Sequence, residues 1–276
     1  MKRIKIILPA ALFFVTASTI GQTKSKLKLP ENKKYQVVNT LQSNSTTNIQ
    51  GQSMESAVNV SSTYDIEVKG KSGSDYNLSS TISKLTTNMT MMGQEIKFDS
   101  ENKEDMDGPF GSALKDFIGK PKAMKMDASG KVTFDDKDTS MSEIAKQLHL
   151  TQNAFGTQLA FLPLPENPKV GTTWTEKTSN DGISKTINYT IQNISGNVAT
   201  VSFESVDSVA SSMEQNGMEI SVKTSGKSSG EEKVNLKTGV IQSGTTKADA
   251  TGTVTAMGQE FPMSTKITSN TTVTEL

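Results

Sequence analysis

The chain of 276 residues contains no cysteine. That excludes disulfides, thiolate metal ligands, a thiol nucleophile and a lipid-modified cysteine at an export cleavage site. Histidine occurs once, as His149, so a Ser-His-Asp centre would have to be built on that ring, and no Gly-x-Ser-x-Gly elbow accompanies it. One histidine and no cysteine also leave zinc an almost all-carboxylate ligand set, which it rarely accepts. Aromatic residues are scarce at 5%, and the hydrophobic share is 33%. So lean a chain cannot cover both faces of its sheets, and one face must be wet. Neither sign of charge is in excess, with 29 basic against 29 acidic side chains. Nucleic-acid binding needs a basic stripe to displace counterions from phosphates, and the sequence has none.

Long apolar runs are missing too, apart from one at the start. Lys2, Arg3 and Lys5 precede an apolar stretch from Ile6 to Val15, and small residues follow at Ala17, Ser18, Thr19 and Gly21. A stretch of about ten residues is half the length of a spanning helix, which needs about 20. The pattern is that of an export signal over residues 1–21, cleaved between Gly21 and Gln22. The expected location is the periplasm, the cell surface or the extracellular medium. Loss of Lys2, Arg3 and Lys5 leaves the mature chain mildly acidic, with no segment able to cross a bilayer as a helix.

What the chain has in quantity is alternation. Tyr35, Val37, Asn39 and Leu41 share one face of an extended chain, as do Tyr64, Ile66 and Val68. The period returns at Ile187, Tyr189 and Ile191, at Ala199, Val201 and Phe203, and at Met218, Ile220 and Val222. Ser, Thr, Asn and Lys fill the opposite positions, which predicts one-sided antiparallel strands. Recurring turns join them. Met91-Met92-Gly93-Gln94-Glu95 is echoed by Ala256-Met257-Gly258-Gln259-Glu260 and, more loosely, by the stretches around Gly51 and Gly217. Glycine as the first central residue suits a type II′ hairpin. Asp127-Ala128-Ser129-Gly130 is matched by Leu236-Lys237-Thr238-Gly239. The expected fold is mainly β: one or more curved antiparallel sheets, or a half-barrel, built from two related halves, with one continuous sheet and two sandwiches both open.

The middle reads differently. Phe110, Ala113, Leu114, Phe117 and Ile118 fall at helical spacing, and Gly119-Lys120-Pro121 ends that segment. Ser140 with Glu143 three residues on caps a second helix carrying Ile144, Ala145 and Leu148. Phe155, Leu159, Phe161 and Leu162 then lead into Pro163, Pro165 and Pro168. The division is a first β half over 22–108, a helical insert and Pro-rich crossover over 109–170 with a β-hairpin near 122–135, and a second β half over 171–276. Two or three central helices are expected to pack on the concave face of the sheet.

Other motifs carry less. Ser112-Ala113-Leu114-Lys115 and Lys237-Thr238-Gly239 match elements of penicillin-binding proteins, where lysine eases deprotonation of the serine, but the Ser-x-Asn element between them is missing. Carboxylates cluster at Glu101, Glu104, Asp105 and Asp107, and at Asp135, Asp136 and Asp138. Read as a calcium loop, the first cluster fails at both ends, where Lys103 and Leu114 stand at ligand positions. Methionine is in excess, at 13. Flexible thioethers suit either a pocket for variable apolar ligands or an irregular core.

The Met-Gly-Gln-Glu hairpins, the Asp-x-x-Gly turn and the junction Pro165-Glu166-Asn167-Pro168-Lys169-Val170-Gly171-Thr172-Thr173-Trp174 resemble uncharacterised secreted families of the Bacteroidota, domains of unknown function. The resemblance brings no catalytic residues. A curved sheet with helices on its concave face is similar in architecture to the lipoprotein-carrier proteins of bacterial envelopes, and that likeness implies acyl chains held between sheet and helices.

The functional expectation is a non-enzymatic binding protein without cofactor or metal, holding a lipid or other apolar molecule between sheet and helices. The expected lining is Phe110, Leu114, Phe117, Ile118, Met124, Met126, Ile144, Leu148, Phe155, Leu159 and Phe161. The competing expectation is an envelope interaction module for a partner protein or glycan, with the same residues filling the core. A cavity of about 300 Å³ or more separates the two. An enzyme of unknown type ranks third.

Overall fold

The computed structural model of the protein describes residues 26–49, 51–91, 94–134, 156–180, 182–215, 218–256 and 258–276. The expected export signal and the helix expected from Ser140 to Leu148 lie outside them. The alternating segments become long strands: β1 (Lys33–Ile49), β2 (Gln52–Ser72), β3 (Asp75–Met91) and the short β4 (Gln94–Asp99). Two short helices, α1 (Lys103–Asp107) and α2 (Pro109–Leu114), precede β5 (Lys122–Met126) and β6 (Val132–Phe134). A single turn, α3 (Thr157–Ala160), leads to β7 (Thr173–Asn180), β8 (Ile183–Ser195), β9 (Val198–Gln215), β10 (Met218–Asn235), β11 (Ile241–Ala256) and β12 (Gln259–Glu275).

These form one open, twelve-stranded sheet in the order β6-β5-β3-β2-β1-β12-β11-β10-β9-β8-β7, with β4 on the far half of β3. Neighbouring strands pair antiparallel. β1 and β12 meet in the middle of the sheet, where Tyr35 pairs with Glu275 and Thr47 with Met263. Along β1 the odd-numbered positions from Tyr35 to Ser43 are buried, and along β12 those from Met263 to Val273 are too. Period-two patterning has thus set one face inward.

The core lies at the end of the sheet where β1 begins and β12 ends. Tyr35, Val37, Ile66, Val68, Tyr76 and Leu78 fill it from the first strands, and Ile191, Val201, Val234, Ile241 and Val273 from the last. Each such side chain contributes about 1.5–3 kcal/mol by leaving water. Two extended segments cover this end. Leu27 and Leu29 run between the two Asx-Gly turns, with Leu27 N donating to Ala128 O (2.7 Å) and Lys28 N to Thr238 O (3.2 Å). Tyr76 fixes them, its hydroxyl donating to Leu27 O (2.9 Å) and accepting from Leu29 N (3.1 Å). Beside them, Phe161 packs edge-on against Tyr35 and Leu162 N donates to Gly239 O (2.8 Å). Gly239, at φ +78°, leaves no room for a side chain: a Cβ would stand 2.6 Å from Leu27 Cδ2.

Two expectations need correction. The described helices are too short to form a layer on the sheet. After Leu114 the chain tightens, Phe117 N and Ile118 N both donating to the Leu114 carbonyl, and Phe117 swings into the core fully buried. Helical spacing here serves one and a half turns, and Leu27, Leu29 and residues 160–164 do the covering instead. The hairpin turns at Gly51 and Gly258 also differ from type II′. Gly51 (φ +84°) and Gly258 (φ +74°) are the second of the two turn residues, so the left-handed demand falls after the centre of the turn.

Candidate ligand-binding cavity

Along the inner face the chemistry changes from one end of the strands to the other. Beyond the apolar end, the inward positions of β9, β10 and β12 become Ser205, Asp207, Thr224, Ser228, Thr265 and Ser269, all buried. Strand register sets their neighbours. One row runs Tyr189, Phe203, Gly230, Thr246, Ser269 across β8 to β12, and the next runs Glu176, Ile187, Ser205, Ser228, Ala248, Ile267 across β7 to β12. Facing them, Leu159, Phe161, Leu162 and Pro163 complete a cavity of about 170 Å³. A flat sheet would spread these six strands over about 24 Å, so contact of all six with one cavity means that the sheet curls around it.

Small side chains make the room. Gly244 and Ala248 stand at inward positions where larger residues would fill the space. The ring of Phe203 leans over Gly230, where a Cβ would meet its Cζ at 2.5 Å, and a Cβ at Gly244 would stand 3.4 Å from Glu232 Cγ.

The sheet wall is polar and ionisable. The Ser205 hydroxyl donates to Asp207 Oδ1 (3.0 Å) and lies 2.6 Å from the Ser228 hydroxyl. Lys185 Nζ is 4.0 Å from Asp207 Oδ1, both side chains nearly buried. Trp174 stacks on Tyr189 at 4.9 Å between ring centroids, and the Tyr189 hydroxyl makes a long contact of 3.5 Å to Glu176 Oε2. Glu232 lines the cavity with its Oε2 buried and without a hydrogen-bond partner. Burial pushes the Glu176 carboxyl up to about 7, against the opposing pull of Tyr189 and Lys185. Burial also raises Glu232 to about 7; the charge of Glu176 adds to the shift and Lys185 opposes it. The Tyr189 hydroxyl is pushed well above its ordinary value, first by burial and then by Glu176. The cavity therefore pairs an apolar lid with a wall short of positive charge.

The residues expected to line a pocket are distributed over several places. Leu159 and Phe161 line the cavity. Phe117, Met124 and Met126 are core residues with Ile118 packed against them, and Leu114 is fully buried. Phe110 packs edge-on against Phe98 at 5.0 Å, beside β4. Ile144, Leu148 and Phe155 lie outside the described residues, as do His149 and Asp135, Asp136 and Asp138. Ser112 is exposed, and Lys237-Thr238-Gly239 forms a turn after β10 closed by Asn235 Oδ1. Within the first acidic cluster, Glu101 pairs with Lys84 and Asp105 accepts from Asp99 N (2.8 Å). Among the described residues no group of three or more His, Asp or Glu side chains could hold a metal ion, and no helix is long and apolar enough to cross a membrane.

Sequence reasoning missed Glu176, Lys185, Asp207 and Glu232. A signal was available, because each continues the inward parity of an apolar run: Trp174 to Glu176, Lys185 to Ile191, Val201 to Asp207, and Glu232 to Val234. A charged residue at an inward position of a one-faced strand costs stability unless it has a partner or a use.

Fold and cavity define an open antiparallel β protein with a polar-walled interior pocket. The chain belongs to the Family of unknown function (DUF6263), whose model matches residues 73–162 and again residues 157–241, together more than half of the sequence. No curated protein matches the sequence. Among solved structures, one of lipovitellin, titled for its lipid–protein interactions, is similar over 90% of this chain with a TM-score of 0.50 at 12% identity. The protein spans 25% of the lipovitellin chain. At that identity the likeness is one of fold. An outer membrane channel from Pseudomonas putida F1 aligns over 90% of this chain and 98% of its own at 9% identity, and its TM-score of 0.26 carries no structural argument.

Proposed function

We propose that the protein is an exported, non-enzymatic binding protein that holds one end of an amphipathic molecule between the inner face of β7 to β12 and the strip from Leu159 to Pro163. The observation that carries this reading is the division of the cavity into an apolar lid and a polar wall. A purely apolar ligand would leave the buried Glu232 Oε2 without a partner and Glu176 weakly held, whereas an amphiphile satisfies both sides. At about 170 Å³ the cavity is smaller than the about 300–1,000 Å³ of whole-ligand pockets, so a head group or short chain enters and the remainder stays outside. The fold shared with lipovitellin is compatible with a lipid as occupant. Export rests on the basic and then apolar pattern of residues 1–21.

Purification from the native host followed by extraction and mass spectrometry tests the reading. A co-purifying amphiphile is expected, and Ala248→Trp, which plugs the cavity, abolishes it. A clean apo protein that also fails to take up a fluorescent fatty-acid or fatty-amine probe overturns the proposal. The small volume favours a second reading, in which the Ser/Thr-rich outer face meets a partner protein or glycan. In that case Ala248→Trp leaves partner capture unchanged.

A further inference from the structure

We infer that the occupant of this cavity carries a protonated amine, held by Glu176 and Glu232 while its apolar part lies along Leu159, Phe161 and Pro163. The inference rests on the binding reading above and adds the chemical class of the ligand. Its basis is an imbalance among the groups facing the cavity. β7 contributes Glu176, β8 contributes Lys185 and Tyr189, β9 contributes Asp207, and β10 contributes Glu232. The lining residues of β11, β12 and the segments at 129–130 and 158–163 carry no charge. Among the described residues, three carboxyls therefore face one ammonium.

That ammonium is already engaged. Lys185 lies beside Asp207, whose carboxylate also accepts from Ser205. Glu176 has the long contact to Tyr189 and the pull of the Trp174 side chain, and the Oε2 of Glu232 is buried with no hydrogen-bond partner. A buried acceptor left open destabilises the unliganded protein, and a ligand that donates to it recovers the loss. An ammonium brings three donors and a positive charge, enough to bridge both carboxyls; a hydroxyl brings one donor and no charge. A carboxylate or phosphate head group would add like charge to a wall already rich in it. Gly244, paired opposite Glu232, leaves beside it the space that such a head group needs, with no atom closer than 3.4 Å to where a Cβ would stand.

Protonation of Glu176 and Glu232 removes the counter-charge, with Lys185 still positive in the same cavity. Amine affinity thus falls in acid, and the bound molecule leaves as the pH drops below the range in which these carboxyls ionise.

Titration of the full chain with hexylamine, hexanol and hexanoate at about pH 8, followed by NMR chemical shifts, tests the inference. These probes share a chain that fits about five or six water-sized groups of volume and differ only in the head group. Hexylamine is expected to bind at least about tenfold tighter than hexanol, the factor one charge-assisted hydrogen bond supplies, with hexanoate weakest. Glu232→Gln, nearly isosteric and free of buried charge, brings the affinity ratio of hexylamine to hexanol close to one. Ala248→Trp excludes all three. Equal binding of the three probes, a preference for hexanoate, or undiminished amine selectivity in Glu232→Gln overturns the amine assignment while the binding reading stands. Absence of binding by every probe, together with a clean apo protein from the native host, overturns both.

Discussion

The two ends of the inner face follow the same alternation and reach opposite outcomes. At the end covered by Leu27, Leu29 and residues 160–164, inward positions are Tyr, Val, Ile and Leu, and the interior is dry and filled. A few residues further along the same strands, the inward positions are Ser, Thr, Gly, Asp and Glu, and the interior opens into a cavity. β9 spans the contrast alone, from Ala199 and Val201 through Phe203 to Ser205 and Asp207. Parity sets which side a residue faces; residue type then decides whether that side becomes core or site.

Substitutions at the two ends sharpen this contrast. The largest effect belongs to the filled end. Phe117→Ala removes a fully buried ring and is expected to cost about 3–5 kcal/mol in urea unfolding. A cost below about 1 kcal/mol would mean that this end is loosely packed.

At the open end, removal of a buried charge has the opposite sign. Glu232→Gln is expected to stabilise the unliganded protein by about 1–3 kcal/mol at about pH 8. The pH dependence follows from the same groups. Glu176 and Glu232 titrate near 7 in the folded chain against 4.5 unliganded by protein contacts, so the native state binds more protons between those values. The stability these two groups contribute is full below about pH 4.5 and is lost as pH rises through about 7, a slope that Glu232→Gln flattens. A thermal unfolding series with pH that rises instead would sink the assignment.

Tyr76→Phe probes how the dry end is closed. Loss of the hydroxyl leaves Leu29 N and Leu27 O unpaired, at a cost of about 1–3 kcal/mol. Hydrogen exchange should speed up along residues 26–29 first. The smallest effect is expected from Lys33→Ala, which breaks the exposed ion pair to Glu275 for less than about 1 kcal/mol; a larger loss, measured by the same unfolding assay, would give this pair a part in holding β1 to β12.

Much of the fold was legible. The alternation at Tyr35 to Leu41 and at Ile187 to Phe203 predicts strands of the right face, and the Gly-bearing turns fall where β-hairpins form. The pairing of β1 with β12 was not legible, because nothing local in either strand names a partner more than two hundred residues away. The helical spacing at Phe110 to Ile118 promised more helix than exists, since burial of Phe117 outweighs continuation of the turn. The ionisable wall stayed hidden for another reason. Polar residues were assigned to the wet face by type, although Glu176, Asp207 and Glu232 share the parity of the buried apolar ones.

The seam between β1 and β12 has a consequence for how the chain acquires its structure. β1 waits for β12, more than two hundred residues on, so the middle of the sheet pairs late and the meander on either side exposes an unsatisfied edge until it does. Leu276 N donates to Lys34 O across this seam, so a short link from β12 into β1, with the chain opened between β9 and β10, makes the pairing local and speeds folding.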